Sequence, residues 1–225
     1  MSEAQVAIVD YGMGNLFSVQ QACQSVGLLP AITSSAREIL DADAVILPGV
    51  GAFGDAMATL SQLGLVEVLR QVAGSGKPLL GVCLGMQLLM TESHEFGRHQ
   101  GLGLIEGEVV RFETPRDGST ILKVPQVGWN RIFRPAHGSW EQSCLEELRD
   151  GTFMYFVHSF YPKPVDPGVV LAVSRYGHIE FCSSLRHGNI MACQFHPERS
   201  GPQGLRIYRN VAMQISHPVK EAPRV

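Results

Sequence analysis

The chain has 225 residues, 45% of them apolar and 17% charged, with a formal net charge of −3. That near-neutral balance argues against a nucleic-acid sheath or a basic membrane patch, and the apolar content argues against disorder. Five cysteines, an odd number with no Cys-x-x-Cys pair, exclude a disulfide framework and a zinc-finger spacing.

The N-terminus, MSEAQVAIVD, lacks the basic and long apolar regions of a signal peptide. VAIVD (Val6–Asp10) is a short apolar strand that ends in the Gly-rich turn YGMGN. A helical pattern runs from Leu16 to Val26 and stops at Gly27. LLPAIT and AVILPG (Ala44–Gly49) are the next strands, Leu65–Ala73 is helical, and LLGV (Leu79–Val82) is a fourth apolar strand running into an apolar helix. Continuous apolar strands joined by helices predict a parallel sheet covered on both faces. The stretch Pro78 to Met90 is too short to span a bilayer and contains Gln87.

The second half reads as strands with turn signals between them: GEVVRFE, TILKVPQVGWNRIF, TFMYFVHSFY, VVLAVSRYG, HIEFCSSLRHG and NIMACQF, with RHGN (Arg186–Asn189) as a hairpin turn. A last helix near Gln203–Ile215 precedes a loose tail at 217–225. The fold class expected is α/β. It comprises a central mixed, largely parallel sheet with helices on both faces, and an antiparallel β portion in the second half. The whole is one domain over 1–225, in the cytoplasm.

The most informative segment is Gly81-Val82-Cys83-Leu84-Gly85, between a buried strand and a helix. This is the Gly-x-nucleophile-x-Gly elbow with Cys in the nucleophile's place, and a helix start behind the sulfur favours the thiolate. The bland alternative is an inert core Cys. Of eight histidines, His196 ends the apolar strand MACQF, where active-site groups of parallel sheets gather, and Glu198 follows two residues on. A carboxylate there holds the imidazole tautomer; a strand-end His beside an incidental acid is the alternative. Strand alternation sets Cys193 and His196 on opposite faces, and no other ligand pair points to metal, so neither a metal site nor a cofactor is expected.

Gly49-Val50-Gly51-Ala52-Phe53-Gly54 matches the dinucleotide fingerprint only formally, since no acidic residue follows at the required distance. A backbone that approaches a substrate closely and presents N–H groups fits Gly49, Val50 and Gly51 better, against an ordinary strand-to-helix loop. Gln87 lies one helical turn after Cys83 on the same side, among apolar neighbours, and its carboxamide needs partners from a ligand or from nearby backbone. Trp129 reads as core or interface. Glu95, Ser159 and Phe160 are uninformative by themselves.

Together DYGMGN (Asp10–Asn15), PGVGAFGDAM (Pro48–Met57), GVCLGMQLL (Gly81–Leu89), GLGLIEGEV (Gly101–Val109), GWN (Gly128–Asn130), YFVHSFY (Tyr155–Tyr161) and QFHPERSG (Gln194–Gly201) resemble the triad-type glutamine amidotransferases. The resemblance narrows to the glutaminase subunits of imidazole glycerol phosphate synthase and runs from Val6 to about Ile215. It implies a flavodoxin-like fold and a triad of Cys83, His196 and Glu198. It implies oxyanion donors at the N–H groups of Leu84 and Val50, and glutamine held by Gln87, Glu95 and the Ser159–Phe160 backbone. It also implies a (β/α)₈-barrel cyclase partner that receives ammonia in histidine biosynthesis, with no nucleic acid and no membrane involved. Tyr11, Asn15 and Trp129 are the expected interface residues, from a polar turn at the end of the first strand and a large aromatic beside Gly128. One departure is Pro125-Gln126-Val127 before GWN, where His-Met is expected after the proline. The competing readings are a Cys-elbow hydrolase or peptidase, a catalytically silent structural subunit and, more remotely, a dinucleotide-binding module.

Overall fold

The computed structural model describes residues 4–136 and 138–216; the expected tail at 217–225 lies outside the described residues. In chain order the elements are β1 (Gln5–Val9), α1 (Leu16–Ser25), β2 (Leu29–Thr33), α2 (Ala36–Asp41), β3 (Ala44–Leu47), α3 (Phe53–Gln62), α4 (Leu65–Gly74), β4 (Leu79–Val82), α5 (Leu84–Leu88), β5 (Met90–Ser93), β6 (His99–Gln100) and β7 (Ile105–Arg111). Then come β8 (Arg116–Asp117), β9 (Thr120–Ile121), β10 (Gln126–Ile132), β11 (Thr152–His158), β12 (Phe160–Pro164), β13 (Val170–Tyr176), β14 (Ile179–His187), β15 (Ile190–Cys193) and α6 (Gly201–Ser216).

A seven-stranded sheet in the order β13-β14-β15-β4-β3-β1-β2 forms the centre. The run from β15 to β2 is parallel, and β14 and β13 extend it antiparallel. Its middle strands β3 and β4 are buried along their whole length, as strands covered on both faces must be. Alternation splits them between two cores. Val6, Ile8, Ile46, Leu80 and Val82 face a layer holding α1 and α6. Ala7, Val9, Val45, Leu47 and Leu79 face α2, α3, α4 and α5. Helix α4 buries Leu65, Val68, Leu69 and Val72, the spacing of one helical face. Helix α1 is capped by the Asn15 side chain, which accepts from Ser18, and the chain leaves it through Gly27 at φ 84°. The His187–Ile190 pair closes the expected hairpin around Gly188.

A second, four-stranded sheet (β12-β7-β5-β6) and the ribbon β10–β11 stand beside the C-terminal ends of β4 and β15. The structure differs from the expectations in several places, among them TFMYFVHSFY, which is two strands, β11 and β12, parted at Ser159 and lying in different sheets. The apolar helix expected after LLGV is α5, which stops after five residues because the chain turns at Leu89 into β5. TILKVPQVGWNRIF is two strands, β9 and β10, parted around Pro125, which lacks the N–H a continuous ladder needs. Helices α2 and α3 occupy stretches the sequence reading left without an element.

Candidate active site

The elbow is set by backbone contacts. Cys83 sits at φ 55° and ψ −108°, a region that L-residues avoid and that costs of order 1–3 kcal/mol. A side chain on Gly85 would collide with the Leu47 carbonyl, and a Cβ on Gly81 would lie 3.0 Å from the Gly85 carbonyl and the Met86 nitrogen. The two glycines let β4 turn into α5 against β3, and the Cys83 N–H donates to the Cys193 carbonyl of β15 at 2.7 Å. With only five residues in α5, the backbone geometry contributes more to presenting the sulfur than a helix dipole does.

His196 lies just past β15. Its N–H donates to the Tyr155 carbonyl at 2.9 Å, and the Ser200 hydroxyl donates to its carbonyl at 2.7 Å. Its Nδ1 is 2.8 Å from Glu198 Oε1, and its ring lines the same cavity as Cys83. The Glu198 side chain is buried, with the Tyr208 hydroxyl donating to its other oxygen at 3.5 Å. The turn carrying it is pinned by α6, where a side chain on Gly204 would strike the Pro197 carbonyl. Burial alone would lower the His196 pKa, but the hydrogen bonds and charges of Cys83 and Glu198 outweigh it and push the imidazole up to about 10. Burial pushes the thiols of Cys23 and Cys182 up to about 12 and that of Cys193 well up.

A cavity of about 310 Å³ opens on these groups and is also lined by Val50, Gly51, Leu84, Gln87, Glu95, Ser159 and Phe160. Gln87 Nε2 donates to the Phe160 carbonyl at 3.0 Å, a backbone partner the sequence reading had allowed for. Glu95 accepts from the Phe53 N–H at 2.6 Å, supplying the cap that Ala52 cannot give α3. The Leu84 N–H donates to the Gly49 carbonyl at 3.4 Å, so the peptide joining Gly49 to Val50 turns its carbonyl, not its N–H, towards Leu84. Gly49 is required by close approach, since a Cβ there would run into the Tyr11 hydroxyl.

The expected interface residues divide. Trp129 is 57% exposed on the outer face of the β10–β11 ribbon, beside Val127 and opposite Tyr155. Asn15 is exposed at the cavity rim. Tyr11 is not at the surface. It is 2% exposed, and its hydroxyl donates to the Pro48 carbonyl at 2.8 Å, which makes it an inner anchor of the Gly49–Gly51 loop.

Sequence reasoning missed two groups. Gln194, two residues before His196 and therefore on the same side of an extended chain, is fully buried between Gln87 and Cys83. A lone amide in an apolar strand was the available signal. Glu92, His94 and Glu108 meet at the surface with ligand atoms within 4.8 Å of one another, where no further ligand set was expected. Arg98 and Lys163 pair with the two carboxylates. Among the described residues no helix is long and apolar enough to cross a membrane.

Residues 7–215 match the family described as glutamine amidotransferase class-I. The chain is 49% identical over 214 residues to the imidazole glycerol phosphate synthase subunit HisH of Geobacter metallireducens, covering 93% of this chain and 98% of that one. It is 44% identical over 207 residues to the same subunit of Aquifex aeolicus, covering 92% and 95%. Among solved structures, a glutamine amidotransferase is similar at a TM-score of 0.68 and 20% identity, over 92% of this chain and 98% of that one. The glutaminase domain of Trypanosoma brucei CTPS with bound acivicin is similar at a TM-score of 0.63 and 15% identity, over 97% and 96%. At these identities the structural likeness speaks for the fold.

Proposed function

The chain belongs to the class-I glutamine amidotransferase family, and on that premise we propose that it is the glutaminase subunit of an imidazole glycerol phosphate synthase, acting in histidine biosynthesis. The observation that carries this reading is the meeting of Cys83, His196 and Glu198 in one cavity, with the nucleophile on a strained elbow. Cys83 attacks the carboxamide carbon of glutamine, and its sulfur forms the new bond as charge moves to the carboxamide oxygen. His196 passes its proton to the nitrogen, and ammonia leaves. The imidazole then takes a proton from water, whose oxygen attacks the thioester, and glutamate departs as the thiolate is restored. Glu198 keeps the ring oriented. Glutamine's ammonium group is drawn to Glu95, and Gln87 and the Ser159–Phe160 backbone hold the rest of the substrate.

Two donors serve the oxyanion, Leu84 and Val50. With the Gly49 carbonyl turned to Leu84, the Leu84 donor is engaged and Val50's N–H does not face it. Rotation of the peptide joining Gly49 to Val50 supplies both. One such donor is typically worth about 2.7–4 kcal/mol in the transition state. The isolated chain is therefore a slow glutaminase, and a partner acts by favouring the rotated peptide.

That partner is a (β/α)₈-barrel cyclase, docked over the cavity mouth on Asn15 and the outer face of Trp129. Ammonia must reach it unprotonated to act as a nucleophile, which favours transfer within a complex. Five free thiols fit a reducing, cytoplasmic setting. The test is a glutaminase assay of the chain alone, with the cyclase, and with the cyclase plus its nucleotide ligand. The expected signature is a stepwise rise, mainly in kcat. Release of glutamate separates the reading from a peptidase.

A further inference from the structure

We propose that Gln194 stabilises the thiolate of Cys83, as the last member of a one-way hydrogen-bond relay that starts at the Phe160 carbonyl; this rests on the reading of Cys83 as nucleophile. Gln194 is fully buried between Cys193 and Phe195. A carboxamide in such a position is costly unless its groups are used. Its Oε1 accepts from Gln87 Nε2 at 3.1 Å, and its own Nε2 lies 3.7 Å from Cys83 Sγ. Gln87 Nε2 also donates to the Phe160 carbonyl at 3.0 Å.

The direction of this relay follows from chemistry. A backbone carbonyl only accepts, so Gln87 must turn its NH₂ group to Phe160. The second hydrogen of that NH₂ points at Gln194, which must answer with its carbonyl oxygen. The NH₂ group of Gln194 is then left facing the sulfur. Reversing either amide would set NH₂ against NH₂ or oxygen against oxygen. Reversing Gln194 would also turn its oxygen towards the sulfur. The starting point is itself fixed, because the Phe160 carbonyl also meets His158 Nδ1 at 2.8 Å. His158 is neutral, held down to about 4 by burial, and donates from that nitrogen.

At the far end the sulfur has competing surroundings. As a thiol it donates to the Val157 carbonyl at 3.8 Å. As a thiolate it accepts from Gln194 and from His196. A donor on the charged form lowers a thiol's pKa, and the effect is larger where water is excluded. Gln194 therefore acts on the reacting atom and also connects it to Phe160, on the wall of the glutamine cavity.

The test compares the full-length chain with Gln194→Met, which keeps volume and carries no N–H. Alkylation by iodoacetamide is followed against pH by mass spectrometry of the peptide that carries Cys83, the cysteine that lines the cavity. The midpoint is expected to rise by on the order of one pH unit, the scale of one charge-assisted hydrogen bond. In the complex kcat for glutamine should fall with little change in KM. A folded Gln194→Met with an unmoved midpoint overturns the proposal, because a purely structural role lowers stability and leaves the midpoint in place. If the variant does not fold, the wild-type chain still decides. The Gln194 side-chain amide resonance, in ¹⁵N-labelled protein, should move when Cys83 is alkylated, and a resonance that stays put overturns the relay. Failure of the underlying reading looks different: glutamine hydrolysis would survive Cys83→Ala, whatever the midpoints.

Discussion

The Leu84 N–H donates to the Gly49 carbonyl across 3.4 Å, and this contact engages one of the two groups proposed to hold the oxyanion. The loop that supplies the carbonyl is anchored from below by Tyr11, whose buried hydroxyl donates to the carbonyl of Pro48, one residue earlier. Tyr11→Phe leaves that acceptor without its donor, at a cost of about 1 kcal/mol or somewhat more. Urea denaturation checks it, and an unchanged midpoint would show that the anchor is not holding the loop.

Gly85 is expected to tolerate no side chain. A Cβ would meet the Leu47 carbonyl, and the backbone on both sides is committed to sheet and helix. Gly85→Ala should cost about 3 kcal/mol, the upper range of overpacking. Thermal melting together with a glutaminase assay reads both consequences, and a stable, active variant would contradict the elbow geometry.

His196 gives a pH dependence of definite sign. Burial opposes its charge, yet the Cys83 and Glu198 partners raise it from 6.5 to about 10, so the folded chain retains a proton that the unfolded chain has lost. The resulting stabilisation is complete below about pH 6.5 and fades as the pH climbs through about 10. Urea midpoints of the wild type should fall across this interval more steeply than those of His196→Gln. Cys83→Ala removes the sulfur's hydrogen bond and charge, and its decline should finish at a lower pH. Parallel curves for the wild type and His196→Gln would contradict the assignment.

Trp129 is 57% exposed in the isolated chain, with its ring edge-on to Tyr155. Trp129→Ala should leave the chain folded and weaken its association with the cyclase by more than about 1 kcal/mol. Isothermal titration measures the loss. Unchanged affinity would move the docking surface away from the ribbon.

Much of this was legible in the residues themselves. Val6–Val9 of β1 and the strands β3 and β4 are unbroken apolar runs, and α4 has an apolar face at helical spacing, so their types follow from pattern alone. The segment Leu84–Met90 is buried at every position, so it has no face to betray a period, and the five-residue length of α5 was hidden. Cys83, His196 and Glu198 announce themselves through local signals: glycines, a strand end, a short spacing. Tyr11 did not. Its burial depends on Pro48, a contact 37 residues away that no local pattern records. The same holds for Gln194, whose partners Gln87 and Cys83 are 107 and 111 residues away.

The most direct test of the central claim is made on the chain assembled with its cyclase. Cys83→Ala should abolish synthesis of imidazole glycerol phosphate from glutamine while leaving synthesis from added ammonia at the wild-type rate. Glutamine-dependent synthesis that persists in Cys83→Ala would place the nucleophile elsewhere and contradict the account.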